Sequence, residues 1–160
     1  MPTLTVALSE RSYPIHIGEG LLARTAELAP VTRSGRAIIV TNPVVAALHL
    51  ETLRDCLSRA GIGHATVIVP DGESHKDWQT LSTIHTRLLE LGAERSTLLF
   101  ALGGGVIGDL AGFAAATYQR GMPLVQLPTT LLAQVRDDPH RRGTTVRRDS
   151  VSCVPPRGCD

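Results

Sequence analysis

The sequence predicts an α/β fold: a doubly wound, mainly parallel sheet with an N-terminal pair of strands at its edge. Three observations predict it. Short runs of Leu, Val, Ile and Ala alternate with helix-patterned stretches of ten or more residues, the order that builds a parallel sheet through right-handed crossovers. Of 160 residues, 42% are apolar and only 3% aromatic, so the core is aliphatic, as suits strands buried on both faces. The length fits one domain with a real core rather than two.

The elements follow in order. Leu4-Thr5-Val6-Ala7-Leu8 and Tyr13-Pro14-Ile15-His16-Ile17 alternate with period two around the turn-prone Ser9-Glu10-Arg11-Ser12, which predicts two paired strands. Pro14 has no N–H to give a ladder and points to an edge. The pattern over 19–28 is helical. Ala37-Ile38-Ile39-Val40 predicts a buried strand ending at Thr41-Asn42-Pro43, followed by a helix over 44–60 that stops at Gly61. Ala65-Thr66-Val67-Ile68-Val69 is the next strand, ending at Pro70-Asp71-Gly72, and a helix over 76–91 stops at Gly92. A strand over 97–102 meets a glycine turn whose helix reaches Tyr118, and Leu124-Val125-Gln126-Leu127 precedes Pro128-Thr129-Thr130. Parallel sheets bind ligands at the carboxyl ends of their strands. The four loops after strands are therefore expected on one rim, with Ala60-Gly61-Ile62-Gly63 and Gly92-Ala93-Glu94 on the other.

From Arg136 the character changes. Residues 136–160 hold six arginines, four aspartates, two of the three cysteines and Pro139, Pro155 and Pro156, without apolar periodicity. Such a segment buries too little to order itself, so a disordered tail is expected after a domain over 1–135. The net charge of +1 gives no electrostatic case for nucleic acid or an anionic membrane. No apolar run approaches the ~20 residues that span a bilayer, and the first ten residues lack a signal-peptide pattern. The expected location is the cytoplasm. Cys56, Cys153 and Cys159 match neither a disulfide scaffold nor a zinc knuckle, Cys56 reads as a buried helix residue, and no histidines show zinc spacing. Trp78 reads as a packing residue.

The strongest motif is Gly103-Gly104-Gly105-Val106-Ile107-Gly108, after a strand and opening a helix. Such a turn leaves backbone N–H groups unpaired at the helix start, with no Cβ atoms to hold a phosphate away. The same glycines also serve as a tight turn with close helix–strand packing. In the dinucleotide fingerprint an acidic residue follows about 20 residues later to hold the ribose. None stands between Asp109 and Asp137. Asp71-Gly72-Glu73-Ser74-His75-Lys76, on the same predicted rim, offers two carboxylates and the only lysine beside fifteen arginines. These residues either contact ribose and phosphate or cap the next helix. Thr129 and Thr130 either donate hydroxyls to a ligand or cap a helix at Leu131, and Arg120 complements a helix dipole.

Pro70-Asp71-Gly72-Glu73-Ser74-His75-Lys76, the run Ala101-Leu102-Gly103-Gly104-Gly105-Val106-Ile107-Gly108-Asp109-Leu110-Ala111-Gly112-Phe113 on through Thr117-Tyr118-Gln119-Arg120-Gly121, and Leu127-Pro128-Thr129-Thr130-Leu131-Leu132-Ala133-Gln134-Val135 together resemble the 3-dehydroquinate synthases. The resemblance covers the chain to Val135 and implies the family's Rossmann-like N-terminal domain. It implies that Asp71, Gly72, Glu73, Ser74, His75 and Lys76, Gly105, Val106, Ile107, Gly108 and Asp109, and Thr129 and Thr130 contact NAD, with Glu73 on the ribose, 105–108 on the pyrophosphate and Asn42 near the adenosine end. It implies that Arg120 reaches the phosphate of a sugar-phosphate substrate, across a homodimer interface. The implied reaction converts 3-deoxy-D-arabino-heptulosonate 7-phosphate to 3-dehydroquinate with elimination of phosphate, in the shikimate pathway to aromatic amino acids.

The match breaks after Val135, where the family continues Asp-Ser-Ser-Val-Gly-Gly-Lys-Thr and this chain reads Arg136-Asp137-Asp138-Pro139-His140-Arg141-Arg142-Gly143. The family's helical C-terminal domain, which brings a glutamate and two histidines to a zinc or cobalt ion, has no counterpart here, so no metal ligands are expected. A change of reading frame in GC-rich coding sequence accounts for such a tail, and the chain is then expected to be an inactive fragment. Other readings are another sugar-phosphate cyclase, a metal-dependent polyol dehydrogenase, or a non-catalytic nucleotide-binding fragment.

Overall fold

A computed structural model of the chain describes residues 3–6, 13–29, 34–130, 132–133 and 148–153. Seven strands, β1 (Thr3–Val6), β2 (Tyr13–Ile17), β3 (Arg36–Thr41), β4 (Gly63–Ile68), β5 (Leu98–Gly103), β6 (Leu124–Pro128) and β7 (Arg148–Cys153), form one sheet in the order β1-β2-β7-β6-β5-β3-β4. Only β1 runs antiparallel, against β2. All the other pairings are parallel. The helices are α1 (Thr25–Leu28), α2 (Pro43–Val45), α3 (Glu51–Arg59), α4 (Trp78–Glu90) and α5 (Gly105–Thr117), with a π-helical segment, Ala46–Leu50, joining α2 to α3. Among the described residues no helix is long and apolar enough to cross a membrane.

The period-two rule sorts the core into two layers. Ile38 and Val40 of β3 and Leu99 and Ala101 of β5 face α4 and α5, which contribute Leu81, Ile84, Leu88, Leu110 and Ala114. Ala37, Ile39, Leu98, Phe100 and Leu102 face the opposite way, onto Leu53 and Leu57 of α3 and onto Leu21 and Leu22. Every residue of β5 is buried, as a central parallel strand covered on both faces requires.

Three expectations change. The predicted helix over 19–28 is a 3-10 turn, Leu21–Arg24, running into the single turn α1. Thr25, fully buried at the junction, donates its hydroxyl to the carbonyls of Leu21 and Leu22 at 3.2 and 3.0 Å, so a side chain takes part of the backbone's bonding there. Pro14 is not on the edge, because β2 lies between β1 and β7. The parallel ladder to β7 begins one residue later, at Ile15, so the missing N–H falls outside it. Trp78 is 76% exposed and meets Phe113 edge-on, ring centroids 5.8 Å apart.

The fourth change concerns the tail. Arg148–Cys153, expected to be disordered, forms β7 and fills the slot between β2 and β6; the other residues of 136–160 lie outside the described ones. The reason is not local. Without β7, β2 and β6 would each present a row of unpaired backbone groups, and a strand bonded to both satisfies them whatever its side chains. Deleting residues 148–160 should therefore release the β1–β2 hairpin, since two strands alone are marginal in water. Hydrogen exchange should show protection lost over 3–6 and 13–17 and kept over 98–103. Equal protection in both proteins would show that β7 does not join the two parts.

Candidate functional site

Because β3, β4, β5 and β6 are mutually parallel, their carboxyl ends share a rim. The loops Thr41-Asn42-Pro43, Pro70-Asp71-Gly72-Glu73, Gly103-Gly104-Gly105 and Pro128-Thr129-Thr130 all leave the sheet there. A cleft of about 200 Å³ opens at this rim, lined by Glu73, Lys76, Gly103, Gly104, Gly105, Val106, Gly108, Asp109, Gln126, Pro128, Leu132 and Ala133. The Glu73 loop and the triple-glycine turn therefore converge.

The glycine turn is built for close approach. Gly104 is extended and caps α5, and Gly108 N–H closes the first helical bond onto its carbonyl at 3.0 Å. The N–H groups of Gly105, Val106 and Ile107 precede that bond, and helix geometry gives them no partner within α5. A Cβ at Gly105 would meet nothing within 4 Å, so the bare backbone borders open cleft space. Thr129 N–H bonds the Gly103 carbonyl at 3.0 Å, holding the end of β6 against the turn. This is the surface an anionic group needs, with donors aimed at one point and no side chain in the way.

The Glu73 loop supplies the charges. Lys76 Nζ stands 2.6 Å from Asp109 Oδ2 and 3.6 Å from Glu73 Oε1, tying the loop before α4 to the first turns of α5. Capping of α4 falls to Asp77, whose carboxylate accepts the Thr80 N–H at 2.7 Å. Asp71, Glu73 and Lys76 are thereby spared that task. The Thr80 backbone bond, with the other Thr80 contact, holds the Asp77 carboxyl below its usual range. A depressed carboxyl stabilises the fold fully above its ordinary value and loses that contribution as pH falls from there through the folded value, so the α4 cap weakens as pH drops below the ordinary carboxylate range. Asn42 accepts the Val45 N–H at 2.8 Å and donates to Asp71 Oδ1 at 2.6 Å, joining the ends of β3 and β4 beside the cleft.

Some predicted residues sit elsewhere. The Ile107 side chain is 1% exposed and belongs to the core, so only its N–H faces the turn. Gly72, Ser74 and His75 lie in the Glu73 loop but do not line the cleft. Thr130 accepts the Ala133 N–H at 3.2 Å, as a helix cap does, and its methyl lies 3.4 Å from where a Gly104 Cβ would stand. Arg120 follows the far end of α5, about 20 Å along the helix from Gly105. Among the described residues no three His, Cys, Asp or Glu side chains stand together as metal ligands, so these residues do not fit a zinc or cobalt site.

Sequence reasoning missed Gln126. Its signal was present: it is the one polar residue of the strand Leu124–Pro128, on the face shared with Leu124 that lies under α5.

The family model described as the N-terminal part of 3-dehydroquinate synthase matches residues 66–138. The 3-dehydroquinate synthase of Laribacter hongkongensis is 60% identical over 136 residues, which are 84% of this chain and 38% of that protein. The enzyme of Neisseria meningitidis serogroup C is 57% identical over 135 residues with the same coverage. The chain thus spans well under half the length of these relatives. Among solved structures, 2-deoxy-scyllo-inosose synthase in complex with carbaglucose-6-phosphate, NAD+ and Co2+ superposes with TM-score 0.81 at 22% identity, over 96% of this chain and 46% of that one. The 2-epi-5-epi-valiolone synthase of Streptomyces hygroscopicus subsp. jinggangensis, with NAD+ and Zn2+ bound, superposes with TM-score 0.72 at 27% identity, over 93% and 44%. By sequence along its first 135 or so residues, this chain belongs to the 3-dehydroquinate synthase family.

Proposed function

We propose that this chain is the NAD-binding part of a cytoplasmic 3-dehydroquinate synthase, the enzyme that converts 3-deoxy-D-arabino-heptulosonate 7-phosphate to 3-dehydroquinate with elimination of phosphate. The observation that carries the reading is the convergence of the Glu73 loop and the triple-glycine turn on one cleft, joined by the Lys76–Asp109 pair. The names of the relatives and the NAD+ in both solved structures support it.

The residues take the following roles. The first N–H groups of α5 receive the pyrophosphate, which Gly105 admits by having no side chain. Glu73 accepts hydrogen bonds from ribose hydroxyls, a task for which its two carboxylate oxygens suit it. Lys76 supplies a cation at the mouth, held in place by Asp109. Thr129 and Thr130 border the turn from the β6 side, and the Asn42–Asp71 pair flanks the adenosine end. Held by these residues, NAD would supply reversible hydride transfer at a ring carbon of the substrate and would be recycled.

Arg120 serves a different cleft. Standing at the opposite rim, it meets a substrate phosphate only in the site of a second copy, which makes the working unit a homodimer. Its backbone supports a dedicated role: Gln119, Arg120 and Gly121 have φ of 46°, 68° and 107° in succession, a strained conformation for the two non-glycine residues.

Titration calorimetry with NAD tests the reading on residues 1–160. A dissociation constant below millimolar is expected, whereas binding weaker than that leaves only a fragment without a nucleotide site. The same chain, given NAD and zinc, should release phosphate from the heptulosonate phosphate at a negligible rate, because it spans 38% of the relatives' length. Robust turnover would show that these residues suffice.

A further inference from the structure

The cleft contains a buried polar group that none of these roles uses. Gln126 is 5% exposed and lines the cleft floor beneath the first turn of α5. Its carboxamide makes no hydrogen bond among the described residues. Oε1 lies 2.9 Å from the point where a Cβ on Gly108 would stand, so the glycine lets α5 settle onto this amide without displacing it. The amide is trigonal, and with its oxygen against Gly108 the NH2 group turns away from that contact. The amide atoms are not among the fully enclosed atoms of the described residues that lack a hydrogen bond, so the carboxamide keeps contact with the open cleft, where a ligand can reach it.

Electrostatics makes the same point. Among the described residues that line the cleft the cation is Lys76, which stands between Asp109 at 2.6 Å and Glu73 at 3.6 Å. An incoming pyrophosphate adds further negative charge. Donors that bring no carboxylate with them help to offset it, and the described residues offer two kinds: the first N–H groups of α5 and the amide of Gln126.

We propose that Gln126 donates a side-chain N–H to the phosphate-bearing part of the bound dinucleotide, so that the anion is held from the sheet below as well as from the helix. The inference rests on the nucleotide reading of the cleft and adds to it a binding residue on β6.

Gln126→Met keeps the length and removes the donor, and Gln126→Glu keeps the shape and adds a charge. Each is made in the 160-residue chain and titrated with NAD, with inorganic pyrophosphate and with adenosine, while the ligand-free melting temperature is followed. Gln126→Met should bind NAD and pyrophosphate about tenfold more weakly, the worth of one buried neutral hydrogen bond. Its melting temperature should not fall. Gln126→Glu should weaken both by on the order of 100-fold, and adenosine, which has no phosphate, should bind all three proteins alike. If the methionine protein fails to fold, Gln126→Asn, which keeps the amide but withdraws it by one methylene, is read in its place. Wild-type affinity for both anions in Gln126→Met, or in its replacement, would overturn the proposal. A wild-type chain that takes pyrophosphate but not NAD would sink the nucleotide reading and leave Gln126 to be judged on pyrophosphate; one that takes neither overturns both.

Discussion

Replacing Gly105 with aspartate should leave the fold intact and remove dinucleotide binding. A Cβ at this position meets nothing within 4 Å, so the branch point of the new side chain is free of clashes. It stands at the first position of α5, where a carboxylate complements the helix dipole and where losing glycine narrows the unfolded ensemble. The apo protein should melt no lower than the wild type. The new carboxylate, however, enters the space proposed for the pyrophosphate. Two unit charges ~4 Å apart at an effective dielectric constant of ~20 repel by about 4 kcal/mol, so NAD affinity should fall about 100-fold or more. Gly105→Ala separates bulk from charge and should weaken binding far less. Calorimetry that finds NAD affinity within threefold of wild type in Gly105→Asp would show that the ligand does not rest on this helix end.

The largest effect on stability is expected from Phe100→Ala. Phe100 is fully buried in the middle of β5, paired with Ile39 on one side and Val125 on the other, and it is the largest side chain in the layer over α3. The close-packed strands around it leave little room for collapse, so truncation should cost about 3–5 kcal/mol, much of the 5–15 kcal/mol that holds a domain of this size folded. Urea unfolding measures it. A loss under 1 kcal/mol would mean that the sheet closes over the vacancy. The same strand ends in Gly103, so the variant also asks how firmly the glycine turn depends on the packing beneath it, and NAD affinity should fall together with the folded fraction.

The two substitutions separate what the glycine turn does from what supports it. A Cβ at residue 105 would meet nothing within 4 Å, so its glycine answers no packing demand. Gly103 is the opposite case, since a Cβ there would lie 2.7 Å from Ile107 Cβ, inside the core. Two glycines of one motif thus serve different ends, and the pattern in the sequence cannot tell them apart.

The strands and helices over 36–128 were legible because each carries its own signal. β3 and β5 are continuous apolar runs, α3 and α4 end before Gly61 and Gly92 at positive φ, and a mutually parallel sheet then places Asn42, Asp71, Gly105 and Thr129 on one rim by topology alone. Local chemistry went no further. Whether Asp71 or Asp77 caps α4, whether Ile107 faces a ligand or the core, and which carboxylates meet Lys76 depend on side-chain directions that only packing sets. Gln126 went unnoticed because a single polar residue in an apolar strand has no local meaning until a glycine-bearing helix lies across it. β7 is the extreme case, a strand with almost no apolar signal that exists because two distant strands leave a slot. Patterns of period and punctuation act between neighbours along the chain and so reveal elements and their order. Contacts between residues dozens of positions apart decide the site, and those are made only when the sheet closes.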